Sequence, residues 1–354
     1  MNERADTGKF AAETTHLPND HPPVEWGRIG VLLINLGTPE GTDYWSIRRY
    51  LREFLTDKRV IEWPKAVWLP ILHGIVLTRR PGRVGKAYEA IWNTDTDESF
   101  LRTYTRNQSD KLSTNLSGED PRIVVDWAMR YGNPSIPSRI AALKELGCDR
   151  ILWFPLYPQY SATTTATVND KAFDALKAMR WQPAVRTVPP YHDDPVYIDA
   201  LASSIRTHLG TLDWQPEVVL ASYHGIPQSY FKRGDPYHCH CHKTTRLLRA
   251  NLGWDDDRLQ TTFQSRFGPE EWLQPYTDKT IEALAAAGTK RIAVLNPGFV
   301  SDCLETLEEI AVEGAKNFKE HGGEKFTHIP CLNDTDDGMR VIEAVTRREL
   351  AGWL

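Results

Sequence analysis

Residues 218–242 read VVLASYHGIPQSYFKRGDPYHCHCH. The segment opens with four apolar residues, Val218 to Ala221, and turns at Ser222-Tyr223-His224-Gly225-Ile226-Pro227. A short apolar run without alternation, stopped by Gly and Pro, reads as a strand buried on both faces, as in an open parallel sheet. Side chains just past the carboxyl end of such a strand face the ligand crevice. That places His224 at the mouth of a site. The competing reading is an ordinary hydrogen-bonded turn histidine.

A second stretch of the same kind tips the balance. RIGVLLIN (28–35) is a continuous apolar run that breaks at Gly37-Thr38-Pro39. INLGTP (34–39) has the shape of SYHGIP (222–227), and MRYG (129–132) recurs as SRFG (265–268). IAALKELG (140–147) before Arg150-Ile151 recurs as IEALAAAG (281–288) before Arg291-Ile292. YPQYS (157–161) then corresponds to GFVSD (298–302). This internal repeat predicts an α/β chain of two similar Rossmann-like domains, each an open parallel sheet, with strand ends facing one cleft. The halves differ in chemistry. Leu36 stands in the first half where the second has His224; Ser161 and a threonine stand where it has Asp302 and Glu305. One cleft wall is therefore ionisable and the other apolar. Proton transfer needs that asymmetry and a scaffold does not.

Further strands are expected at PRIVVDW (121–127), RILWFPL (150–156) and 184–188, with helices from about Asp43, at 136–146 closed by Gly147, at 168–180 and at 196–209. Residues 1–27, punctuated by Pro18, Pro22 and Pro23, read as a loose arm. The first domain is expected at 28–190, the second at 191–335, and a C-terminal helix at 336–354. Residues 60–80, VIEWPKAVWLPILHGIVLTRR, stand apart: apolar and Trp residues interrupted by Pro64, Pro70 and Gly74, ending in Arg79-Arg80. They suit a lip that touches a membrane interface or holds an apolar ligand, and equally a core helix with a basic end.

The net charge of -5 argues against a nucleic-acid partner. The first residues, MNERADTGKF, carry no apolar segment, and no run reaches the roughly eighteen apolar residues of a spanning helix. A cytoplasmic protein, touching the inner membrane face at most, is expected. Five cysteines without an export signal read as thiols or metal ligands.

DCLETLEEIAVE (302–313) reads as a short helix with Leu304, Leu307 and Ala311 on one side and Asp302, Glu305, Glu309 and Glu313 along the other. Like charges at that spacing cost about 0.2–0.5 kcal/mol per pair on an exposed helix. Glu313 reads as solvated surface. Glu305, one turn into a helix that starts at a strand end, reads as functional, and the row as a route for protons or hard cations. His224 with such a carboxylate is a minimal deprotonating pair, or two ligands for a divalent metal. No CxxC, HExxH, Gly-rich phosphate loop or GxSxG is present. The tract Tyr237-His238-Cys239-His240-Cys241-His242 has the composition of a metal site.

Taken together, INLGTPE (34–40), MRYGNP (129–134), LYPQYSATTT (156–165), SYHGIP (222–227), RGDPY (233–237), TFQSRFGPEEWLQPYT (262–277) and PGFVSDCLETLEEI (297–310) resemble the ferrochelatases, over nearly all of 28–350. The resemblance implies a lyase that inserts ferrous iron into protoporphyrin in haem synthesis, with the porphyrin held between the two domains. It implies His224 as the histidine that takes pyrrole protons or binds iron, Glu305 as its acidic partner and second iron ligand, and Glu309 farther along the proton path. Leu36 falls on the opposite porphyrin face. Tyr131, Trp272 and Phe299 resemble pocket residues, and Arg79 and Arg80 basic residues at the lip that meet propionates and the membrane surface. The implied partners are porphyrin, ferrous iron, a membrane touched peripherally and, as one option, a second copy of the chain. Two rivals remain: a chelatase for coproporphyrin or sirohydrochlorin, and a non-catalytic tetrapyrrole or metal carrier.

Two departures stand out. The family's Ser-Pro pair after helix 83–92 is Ser99-Phe100 here, and position 162 is Ala where animal members have a cluster ligand. Some bacterial members hold a [2Fe–2S] cluster on internal cysteines. Setting Cys303 aside, Cys148, Cys239, Cys241 and Cys331 give the count such a cluster needs. The alternative is four packing thiols.

Overall fold

The computed structural model describes residues 20–21 and 25–354. The arm expected at 1–27 lies almost wholly outside them. Two four-stranded sheets carry the fold. The first comprises β1 (Arg28–Gly37), β2 (Ile123–Tyr131), β3 (Cys148–Pro155) and β4 (Ala184–Thr187), in the order β2-β1-β3-β4. The second comprises β5 (Val218–His224), β6 (Leu259–Gln264), β7 (Arg291–Leu295) and β8 (Lys325–Ile329), in the order β6-β5-β7-β8. Every pairing is parallel. The same order twice is the repeat made visible. The unbroken apolar runs of β1 and β5 became the central strands because only a central strand is covered on both faces.

The register corrects one correspondence. Met129 donates its amide to Pro134 and bridges to Ser135; Phe263 donates to Pro275 and bridges to Tyr276. Met129 is therefore the counterpart of Phe263 and not of Ser265, so Arg130 and Tyr131 match Gln264 and Ser265. The second half has a longer loop after this strand, which shifted the sequence match between MRYG and SRFG.

Gly37 shows why the first turn needs glycine. Its φ is +109°, and a Cβ there would lie 1.9 Å from the carbonyl oxygen of Tyr131. Helix starts follow their caps: Asp43 accepts the amides of Trp45 and Ser46, and Asp194 that of Val196.

Residues 65–90 form helix Lys65–Ile71, a π-helical turn Leu72–Val76 and helix Leu77–Ala90, so the helical path continues past Pro70 and Pro81. Trp68, Leu72, Val76, Leu77 and Tyr88 pack on Ile47, Leu51 and Leu55 of helix Tyr44–Leu55. The Trp68 indole donates to the Leu55 carbonyl at 2.7 Å. The other face leaves Val67, Leu69 and Ile75 exposed, while Trp63, before the helix, lies edge-on to Trp68 and donates to Glu270 at 3.2 Å. The stretch therefore has a core face and an exposed apolar outer face. Among the described residues no helix is long and apolar enough to cross a membrane.

The halves share one hydrophobic core, which runs from Val31, Leu33, Leu152 and Phe154 through Tyr197 and Ile205 to Val219, Leu259, Ala293 and Val345. Helix Asp336–Leu350 lies against Pro195–Gly210 and also reaches helix Phe100–Glu119 of the first half. Polar links reinforce the seam. Gln108 donates to Ser301 and the Asn333 carbonyl, Gln159 to Thr244, and the Asp235 carboxylate accepts from Ser161 and the Ala162 amide.

Candidate active site

His224 ends β5 and is partly exposed. Its Nδ1 lies 2.6 Å from the Gly225 carbonyl oxygen. A carbonyl can only accept, so Nδ1 carries a proton, and whenever the ring is neutral its lone pair is on Nε2. A Cβ on Gly225 would meet the Gln264 carbonyl at 2.9 Å and Trp272 Cε3 at 3.1 Å. The bare glycine lets Trp272 close on the turn. Its ring centroid is 6.3 Å from the imidazole, and its indole donates to the Phe267 carbonyl at 2.8 Å.

The carboxylate segment is not the single regular helix expected. One α turn, Leu304–Thr306, passes into a π-helix, Leu307–Gly314. Wide turns of this kind are frequent at functional sites. Asp302 leaves the row: it is buried and accepts from Thr306 and Asn333 and from the Cys331 amide. Glu313 is exposed, as expected.

Glu309 is held from β6 and the residue after it. The Ser265 amide donates to Oε1 at 2.8 Å, the Ser265 hydroxyl donates to Oε2, and Gln264 Nε2 reaches Oε2 at 3.4 Å. The same Gln264 nitrogen donates to the Glu305 carbonyl at 2.8 Å. Burial pushes the Glu309 carboxyl up. The Ser265 hydrogen bonds and the His224 charge pull it down, Glu305 pushes it up, and the net direction is upward. His224, Glu305 and Glu309 thus share one electrostatic neighbourhood. Glu305 also acts on Tyr50 and Tyr88 of the first half, whose phenols are raised mainly by burial. Sequence reasoning missed these two tyrosines as site residues.

The remaining expected residues divide. Leu36 is partly exposed near the end of β1, the position equivalent to His224. Arg79 is exposed; the Arg80 guanidinium lies 4.5 Å from the Phe267 ring centroid, joining lip to second half. Burial, followed by the charge of Arg83, lowers the Arg80 pKa. Tyr131 is a correction. It is wholly buried, with its hydroxyl donating to Asp57 at 2.9 Å and its ring edge-on to Phe54 at 5.0 Å, so it supports the wall from behind. Its neighbour Arg130 makes a buried ion pair with Asp57. Phe299 borders a small cavity with Leu201, Ile205, Ile329 and Cys331, on the side covered by helix Pro195–Gly210.

A family model described as Ferrochelatase matches residues 28–350. The chain belongs to the ferrochelatase family. It is 69% identical over 345 residues to a ferrochelatase of Allorhizobium ampelinum, covering 98% of this chain and 100% of that one. It is 70% identical over 335 residues to a ferrochelatase of Rhizobium meliloti, covering 95% and 98%. Among solved structures, SirB from Bacillus subtilis with Fe3+ superposes with a TM-score of 0.54 at 9% identity, over 92% of this chain and 97% of that one. That similarity concerns the fold alone.

The thiols do not fit a [2Fe–2S] cluster. Cys148 is packed in a core cluster of the first half, Cys241 is in the shared core, Cys331 is buried and Cys239 is exposed. Burial pushes the Cys148 thiol up to about 12 and raises Cys241 and Cys331 as well. Among the described residues no three His, Cys, Asp or Glu side chains converge to hold a metal ion, the His-Cys tract at 238–242 included.

Proposed function

We infer that the chain inserts ferrous iron into protoporphyrin, the metal-chelatase step of haem synthesis. The observation that carries the mechanism is the single ionisable wall. His224, its Nδ1 tied to Gly225, shares a neighbourhood with Glu309 and Glu305, while the equivalent point of the first half is Leu36.

Insertion replaces two pyrrole N–H bonds by bonds to iron, so two protons must leave. His224 Nε2 takes them from the ring, and Glu305, on the α turn, and then Glu309, on the π-helix, accept them in turn. Iron as substrate meets the Glu305 carboxylate before it enters the ring; an imidazole that is taking a proton on Nε2 has no lone pair left for the metal. Trp272 packs on the ring from the His224 side and Leu36 from the opposite wall. Arg79 and Arg80 meet the propionates at the lip. Trp45 (62% exposed) and Ile75 (53% exposed), with Trp63 and Val67, form an apolar rim suited to a membrane interface, which makes peripheral attachment part of the reading.

Coproporphyrin carries carboxylates where protoporphyrin carries vinyl groups, and an apolar rim favours the vinyl-bearing ring. Turnover of both porphyrins with ferrous iron, followed by the absorbance of the product, tests this. Faster metallation of protoporphyrin is expected. Faster metallation of coproporphyrin would overturn the substrate assignment, and stoichiometric binding without metallation would make the chain a carrier.

A further inference from the structure

We propose that Ser265 is a positioning residue whose hydroxyl and amide together fix the Glu309 carboxylate for proton uptake. The proposal rests on the reading of Glu309 as a proton acceptor.

Ser265 has φ +66°, in the left-handed region that non-glycine residues seldom occupy. It lies immediately after β6, and that conformation accompanies two donors from one residue, its backbone amide at 2.8 Å on Oε1 and its side-chain hydroxyl on Oε2 of Glu309. Serine bears the cost of a left-handed backbone, which glycine would not. A turn that needed only the backbone shape would be better served by glycine, so the hydroxyl is the reason for serine.

The preceding residue is locked in the same direction. Gln264 Oε1 accepts from the Ser222 hydroxyl at 2.7 Å and from Asn296 Nδ2 at 2.7 Å. His328 Nε2 lies 3.0 Å from Asn296 Oδ1, which fixes that amide as well. Gln264 must therefore present its Nε2 to Glu305 and Glu309. The first half repeats the grip with other residues. There Arg130 and Tyr131, the register equivalents of Gln264 and Ser265, hold Asp57 and Thr167. The fold uses these two positions to fasten the facing segment. In the first half the carboxylate so held, Asp57, is neutralised by Arg130; in the second half Glu309 is held by uncharged donors alone.

The test compares Ser265→Gly, Ser265→Ala, Glu309→Gln and the double variant Ser265→Gly/Glu309→Gln, using ferrous iron and protoporphyrin, with thermal melting as a check of folding. Loss of a hydrogen bond to a charged group should lower kcat about tenfold in both Ser265 variants. KM for porphyrin should stay within about twofold, because positioning acts on the chemical step. The Ser265→Gly melting temperature should not fall, since glycine accepts the backbone shape. The double variant should be no slower than Glu309→Gln alone, because the hydroxyl acts only through that carboxylate. Normal kcat in Ser265→Gly, whatever Ser265→Ala shows, while Glu309→Gln is slow, would overturn the proposal and leave Glu309 in its role. Multiplying losses in the double variant would overturn it too. Normal turnover by Glu309→Gln would instead bring down the reading of Glu309 itself, and this proposal with it.

Discussion

Glu309 stands between opposed influences, and its behaviour with pH follows from them. Burial raises its pKa more than the Ser265 hydrogen bonds and the His224 charge lower it. A carboxyl with a raised pKa is protonated at a higher pH on acidification, and a protonated carboxyl accepts no proton. The kcat for metallation should therefore fall on the acid side with an inflection above the ordinary glutamate value of about 4.3. A pH series at saturating porphyrin checks this, with Glu309→Gln expected to lose the inflection along with most of the rate. Gly37 gives a test of packing. Gly37→Ala places a Cβ 1.9 Å from the Tyr131 carbonyl at φ +109° and should cost on the order of 3 kcal/mol in denaturant unfolding. His224, Glu305 and Glu309 could be singled out in the sequence because a strand end followed by glycine marks the first and a row of carboxylates at helical spacing marks the others. Tyr50, Tyr88 and Ser265 could not, because they become neighbours of the carboxylates only when the halves close or a loop of unforeseen length folds back. Tyr131 was misplaced because Asp57, which claims its hydroxyl, is distant in the chain.

At the level of elements, two of the three π-helical segments among the described residues stand at matching points of the repeat. Ala162–Ala166 and Leu307–Gly314 occupy corresponding places after β3 and β7 and are both π-helical. Their widened turns follow from tertiary packing, which no side-chain period announces, so a sequence reading sees an ordinary helix there. The lip was legible as an apolar stretch, while its continuous helical path was hidden by Pro70 and Pro81. Its outer face makes a prediction. Replacing Val67 and Ile75 together by Ser should abolish co-sedimentation with anionic vesicles while changing stability by less than about 1 kcal/mol, since both are more than half exposed. Unchanged vesicle binding would remove membrane attachment from the account.

Across the whole molecule, the repeat decides the architecture and the seam decides its cooperativity. The two parallel sheets were legible because the runs beginning at Arg28 and Val218 repeat the same strand-Gly-x-Pro grammar. The expected division into separate domains was less informative than the shared core, in which Val31 and Val219 belong to one cluster. Calorimetry should accordingly show one unfolding transition, and two resolved transitions would mean that the halves are energetically independent. The central claim is that only the second half takes up the porphyrin's protons, and His224→Ala tests it most directly. Porphyrin binding, followed by fluorescence, and iron insertion, followed by haem absorbance in a single turnover, should separate: binding retained within about threefold and insertion lost by at least about a hundredfold. Insertion at close to the normal rate by His224→Ala would contradict the account.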